Sequence, residues 1–229
     1  LSPMNSVTLQ ESIQKLQAKM ERARNPEIAS SMSDYLKNKF ECLGIKAPQR
    51  NAIEKEWFQT IKPLSLDHFD VAFALWELNE REYQYIAVDY LNKTPKNLIQ
   101  KSDHISLERL IVSKSWWETV DLIASNYVGA YFLKFPEQKK TIIEEWRHSD
   151  NFWLNRTCLI FQLKYKDAVD FELLKDLIIQ YQGENEFFIQ KAIGWSLRQY
   201  SKYNPDVVRS FVDEIKLEGL ARREAVKYL

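Results

Sequence analysis

The sequence predicts an all-α protein, an α-solenoid of two-helix repeats with one concave face. Three observations predict it. Apolar residues recur at helical rather than strand spacing. Glycine and proline, at 5 and 7 in 229 residues, are too scarce for the turns of an all-β chain and stand between periodic segments. The sequence also superimposes on itself when shifted by 35 residues, a period in the range of stacked helix pairs.

Leu9, Ile13, Leu16 and Met20 form one apolar stripe and predict the first helix. Asn25-Pro26 ends it and starts the second, with proline in the first turn. Gly44 is expected to close the second helix and Pro48 to open the third. Pro63, Asn79, Pro95, Gly129, Pro136, Gly183, Pro205 and Gly219 mark the later breaks. The segments between breaks run roughly ten to eighteen residues, ordinary helix lengths, giving about twelve helices and no strand. A single domain is expected from Met4 to Leu229, with Leu1-Ser2-Pro3 left out of the fold reading.

Bulk composition bounds function weakly. Hydrophobic residues make up 45% and charged residues 28%, enough for a sizeable core under a normal surface. The formal net charge is zero, so bulk charge does not point to nucleic acid and the placement of charges must carry any such case. Cys42 and Cys158 are far apart, and His68, His104 and His148 are scattered, so neither a zinc site nor a disulfide framework is expected. No apolar run is long enough to span a membrane and no signal-peptide pattern is visible, so a cytoplasmic setting is expected.

In the shifted register Trp153 falls on Phe188, and Phe152-Trp153-Leu154-Asn155-Arg156 falls on Phe187-Phe188-Ile189-Gln190-Lys191. The tetratricopeptide pattern is absent, so a HEAT-like stack is the better description. Equivalent positions of successive repeats share a surface. Ile86, Asp121, Arg156 and Lys191 then form one row. Glu82, Trp117, Phe152 and Phe187 form a second, and Tyr90, Ser125, Ile160 and Trp195 a third. The first row carries an acid, an arginine and a lysine within apolar segments. Trp117 shares a face with Asp121, Lys191 with Trp195, and Arg156 with Trp153. Arg198 lies two turns beyond Lys191, and Trp116 is expected to point about 100° away from Trp117 on the same helix.

One carboxylate among cations and aromatic rings suits a polyanion with flat, partly cationic groups. Arg156, Lys191 and Arg198 are suited to phosphates, and the indole faces to a sugar or a cationic base. An Asp–Arg ion pair between neighbouring helices and buried tryptophans are the structural alternatives. From the pattern alone the chain is a helical-repeat binding protein for nucleic acid or for a protein partner.

Three stretches resemble the DNA alkylation repair family, in particular the AlkD-like DNA glycosylases. They are LIVSKSWWETVD from Leu110 to Asp121, SDNFWLNRTCLIFQLKYK from Ser149 to Lys166, and EFFIQKAIGWSLRQY from Glu186 to Tyr200. Tyr35-Leu36-Lys37-Asn38, Leu75-Trp76-Glu77-Leu78, Asn204 to Val208 and Arg223-Glu224-Ala225 also match. The resemblance implies a HEAT-like solenoid whose concave DNA-binding groove holds duplex DNA. It implies release of N3- and N7-alkylated purines without base flipping, in base excision repair. Carried over by motif, Asp121 is the catalytic carboxylate, Trp117 and Trp195 flank the lesion's deoxyribose, and Arg156 sits beside Asp121. Tyr35 approaches the backbone from the second helix; apart from the motif, Lys46, Arg50, Lys114, Trp153, Lys164, Lys191 and Arg198 are the further candidate DNA contacts of this sequence. Ala47 departs from relatives, which often carry a hydroxyl residue there to bond a phosphate.

The chemistry fits. Alkylation at N3 or N7 leaves the purine cationic and already a good leaving group, so one carboxylate suffices. Cleavage develops positive charge on the sugar, which a carboxylate stabilises more in the transition state than in the ground state. The expectation is a monofunctional enzyme acting on duplex DNA with alkylated purines. No cofactor, metal, membrane or obligate protein partner is expected, and the chain is expected to be a monomer near the nucleoid. The alternatives are a non-catalytic DNA-structure binder and a protein-interaction scaffold.

Overall fold

The computed structural model describes residues 3–229, with side chains from Thr8 onward. Leu1 and Ser2, set aside above, lie outside the described residues. Among those residues every regular element is helical. The chain divides into two units, Leu1–Pro95 and Lys96–Leu229.

The first unit is built on α1 (Pro3–Arg22), whose stripe Leu9, Ile13, Leu16 and Met20 is buried. Burying such side chains is worth about 1.5–3 kcal/mol each, enough to fix which face turns inward. α2 (Pro26–Tyr35) starts where expected: the Asn25 side chain accepts from Ile28 N at 3.2 Å and Pro26 occupies the first turn. It ends at Tyr35 rather than at Gly44, because Lys37 and Asn38 turn left-handed with φ of 58° and 56°. Gly44 lies in the following loop at φ 89°, where a Cβ would stand 2.0 Å from the carbonyl oxygen of Asn25. Only glycine fits there. α3 (Ala47–Ile61), α4 (His68–Trp76) and α5 (Arg81–Asn92) follow, with α3 against α1 and α5, and α4 against α1 and α5.

The second unit runs α6 (Asp103–Ile111), α7 (Trp117–Leu122), a π-helical stretch over Ile123–Val128, α8 (Gly129–Lys134) and α9 (Pro136–Arg147). It continues with α10 (Phe152–Ile160), α11 (Phe171–Tyr181), α12 (Phe187–Ser201), α13 (Pro205–Glu214) and α14 (Gly219–Ala225). Packing skips along the chain: α10 meets α7 and α12, and α12 meets α14. That is the pattern of stacked helix pairs. Side-chain contacts carry the same period. Arg156 bonds Asp121 across 35 residues, Lys134 reaches the carbonyl of Ile99 across 35, Tyr165 that of Gly129 across 36, and Tyr181 that of Arg147 across 34.

Gly129 does not break a helix. It continues from the π-helical stretch into α8, and a Cβ there would stand 2.8 Å from the carbonyl oxygen of Phe161. It is a close-approach glycine between helices. The rows also need correction in the first unit. Glu82 and Ile86 are both 0% exposed, so those members lie in the core and not on a surface; in the second unit Ile160, at 0%, and Arg156, at 4%, are buried too, so Arg156 is not the phosphate contact expected of it.

Candidate active site

The approach to α7 sets the site. Lys114 is left-handed at φ 50°, and Trp116 is extended at φ −158° and ψ 163°, so the helix begins only at Trp117. Trp116 and Trp117 therefore do not share a helix, and the expected 100° separation does not apply. The Trp116 ring enters an aromatic cluster, edge-on to Phe188 at 5.1 Å and to Trp153 at 6.0 Å. Trp117 is half-buried, one turn before Asp121 on α7. Directly after Asp121 the helix widens into the π-helical stretch, where Ser125 Oγ donates to the Asp121 carbonyl at 2.8 Å. Such stretches recur at functional sites.

Arg156 of α10 meets the Asp121 carboxylate with two bonds, Nε to Oδ1 at 2.9 Å and Nη2 to Oδ2 at 2.8 Å. Its Nη1 donates to the carbonyl of Phe188 at the start of α12. Its guanidinium also lies 5.7 Å from the Phe188 ring and 5.9 Å from the half-buried Trp195 ring. One arginine thus ties α7, α10 and α12 together. Asp121 is more enclosed than the sequence reading expects, at 8% exposed, because Arg156 lies across its carboxylate. Burial pushes its carboxyl above the ordinary range, the two Arg156 interactions oppose that, and Glu118 adds a smaller upward push. A carboxylate has about four lone-pair positions, so the arginine leaves some acceptor capacity open.

Trp153 is a correction. At 6% exposed it packs 4.8 Å from Phe188 and 4.7 Å from Phe152, and it belongs to the core. Asn151 caps α10, its side chain accepting from the backbone N of Trp153 at 3.0 Å. Lys191 and Arg198 on α12 both reach Glu224 of α14. Lys164 is exposed and bonds the Asn126 side chain, and Lys114 is half-buried.

In the first unit the structure gathers Tyr35, Lys46 and Arg50 around a cleft of about 460 Å³ that Met32, Ala47 and Tyr85 also line. Tyr35 is 68% exposed at the end of α2. The loop before Lys46 is held by Glu82 of α5, whose buried carboxylate accepts from the backbone of Leu43, Gly44 and Ile45 at 2.9, 2.8 and 3.1 Å. The sequence reading placed Glu82 in a surface row and missed this anchor. A glutamate inside an apolar helix, one period from a turn glycine, was the available signal.

Comparison with known proteins adds to this geometry. The family described as DNA alkylation repair enzyme matches residues 16–229. The chain belongs to that family. A solved structure of a predicted DNA alkylation repair enzyme from Enterococcus faecalis is 36% identical, with a TM-score of 0.82, covering 90% of this chain and 96% of that one. The structure of smu.31 from Streptococcus mutans UA159 is 19% identical with a TM-score of 0.58, covering 92% of this chain and 99% of that one, and shares the fold. No curated protein matches the chain. Membership ties the chain to repair of alkylation damage and to DNA as its substrate. Among the described residues no helix is long and apolar enough to cross a membrane.

Proposed function

We propose that the protein is a monofunctional DNA glycosylase that hydrolyses the N-glycosidic bond of cationic N3- or N7-alkylated purines in duplex DNA. The observation that carries this is the Asp121 carboxylate, gripped by two bonds at 2.8 and 2.9 Å from Arg156, whose guanidinium lies 5.9 Å from the half-buried Trp195 ring. As the bond from C1′ to the purine nitrogen breaks, its electron pair neutralises the base and the sugar turns positive. Asp121 stabilises that charge in a site where burial strengthens the interaction. The Trp117 and Trp195 rings, negative on their faces, flank the same sugar. Water then forms the new C1′–O bond and gives its proton to Asp121 or to solvent. No amine forms a bond to the sugar, so the strand stays intact. A sugar met at a partly open side chain surface suits a base left unflipped in the duplex. Tyr35, Lys46 and Arg50 are assigned to backbone phosphates.

A second reading, a DNA-structure binder without hydrolysis, is favoured by one observation: Arg156 bonds both oxygens of Asp121, as in a purely structural ion pair. Chromatography of material released from methylated duplex DNA separates the two. Free 7-methylguanine or 3-methyladenine with uncut strands is expected, and its absence from a protein that binds the same duplex contradicts the glycosylase assignment. A double variant, Asp121→Asn with Arg156→Gln, removes both charges together and so tests activity without orphaning either one.

A further inference from the structure

Lys191 and Arg198 lie on α12, two turns apart, and both turn toward α14. There Glu224 takes one cation on each oxygen, Lys191 Nζ at 3.2 Å and Arg198 Nη1 at 2.6 Å. Gly194 makes the approach possible. A Cβ at that position would stand 2.5 Å from Glu224 Cβ and 3.0 Å from the Ala221 carbonyl oxygen. The Lys191 hydrogen bond first, and then the charges of Lys191, Arg198 and Lys227, hold the Glu224 carboxyl below its ordinary range against an opposing effect of burial. Three cations thus act on one carboxylate, a net positive cluster. It remains open to solvent, with side-chain exposures of 39% for Lys191 and 23% for both Arg198 and Glu224.

A carboxylate that bridges a lysine and an arginine through separate oxygens presents them with the same acceptor pattern as two non-bridging oxygens of a phosphodiester. We propose that Lys191 and Arg198 form a DNA-phosphate site in which Glu224 is a built-in competitor, displaced when the backbone enters. This rests on the reading that α12 faces DNA, and it adds a regulatory carboxylate to that surface. The competitor holds the two long cationic side chains in place between encounters and weakens binding to undamaged duplex. A merely structural Glu224 would do the opposite on removal, loosening α14 and weakening DNA binding.

The test is the salt dependence of binding to an undamaged duplex, followed by fluorescence anisotropy, for wild type and Glu224→Gln. The amide keeps the shape of the side chain and loses the charge. Binding by Glu224→Gln is expected to tighten about 3- to 10-fold at low salt, and the slope of log K against log salt to steepen by about one, the size of one phosphate contact. The gain should vanish when Lys191 and Arg198 are both changed to Met. Asp213→Asn, which removes a similar charge paired with Arg222 at 3.4 Å, should not reproduce it. Glu224→Asp, which withdraws the carboxylate but keeps its charge, should fall between wild type and Gln. Unchanged or weaker binding by Glu224→Gln, or an equal gain from Asp213→Asn, overturns the proposal. Base release from methylated duplex, measured alongside, separates the two claims. Release with no Glu224 effect removes only the competitor, a Glu224 effect without release removes only the glycosylase, and no duplex binding at low salt removes both.

Discussion

Two acid–arginine sites in this chain, one buried and one half-buried, behave differently. In the second unit Asp121 and Arg156 meet through two short bonds, and the arginine's remaining donor group finds the Phe188 carbonyl. In the first unit Arg50 stands 3.9 Å from Glu54 and 3.8 Å from Asp89 and lies 4.9 Å from the Tyr85 ring. There a second carboxyl group, Asp89, acts on Glu54 as well. Burial first, then Asp89, pushes the Glu54 carboxyl up to about 8. A Glu54 that keeps its proton attracts the guanidinium little, which leaves Arg50 only loosely held. A fixed pair keeps one carboxylate charged and aimed, as a catalytic group requires. A loosely held arginine at the wall of a cleft is free to turn to a phosphate.

The largest expected effect comes from breaking the tight pair. Arg156→Met leaves a buried carboxylate uncompensated and should cost about 3–5 kcal/mol in a urea titration. Arg50→Met, by contrast, should cost under about 1 kcal/mol, in the range of weak ion pairs. Equal losses would erase the comparison. Next in size is the pH profile of turnover. Asp121 must be ionised, and burial raises its carboxyl, so activity should fall as pH drops through a value above the ordinary 3.8. Loss of Arg156 should move that acid limb higher still.

Glu54 gives a third, opposite signature. The folded chain holds a proton that the unfolded chain releases between the ordinary 4.5 and about 8. Stability should therefore decline as pH rises through that window, and Glu54→Gln should flatten the slope in pH-dependent melts. The smallest effect is at Trp195. Trp195→Ala should lower turnover about tenfold while changing duplex affinity less, since the ring acts on the charge that develops at the sugar. A larger loss in affinity than in turnover would make it a binding residue.

Much of this is legible in the sequence. The 35-residue shift put Asp121 level with Arg156, and those two side chains do bond across 35 residues. Asn25 as a helix cap was readable too, because capping is a local interaction. What escaped depends on three-dimensional proximity. Gly129 looks like a helix breaker, yet its missing Cβ serves the backbone of Phe161. Trp116 reads as helical, but the left-handed Lys114 sets it in extended backbone ahead of α7. Trp153 carries the same helical spacing as an exposed ring, and only its contacts with Phe152 and Phe188 reveal a core position. Glu224 lies in a short terminal helix, and nothing local marks it as the partner of two α12 cations.

The most direct measurement is single-turnover release of 7-methylguanine from methylated duplex, with protein in excess, for wild type and Asp121→Asn. Duplex affinity and melting temperature are recorded on the same samples. A charge-stabilising Asp121 predicts release by wild type and a rate at least about 100-fold lower in the variant at near-equal affinity, the scale of losing one transition-state charge contact. A folded Asp121→Asn protein that releases the base at the wild-type rate would contradict it.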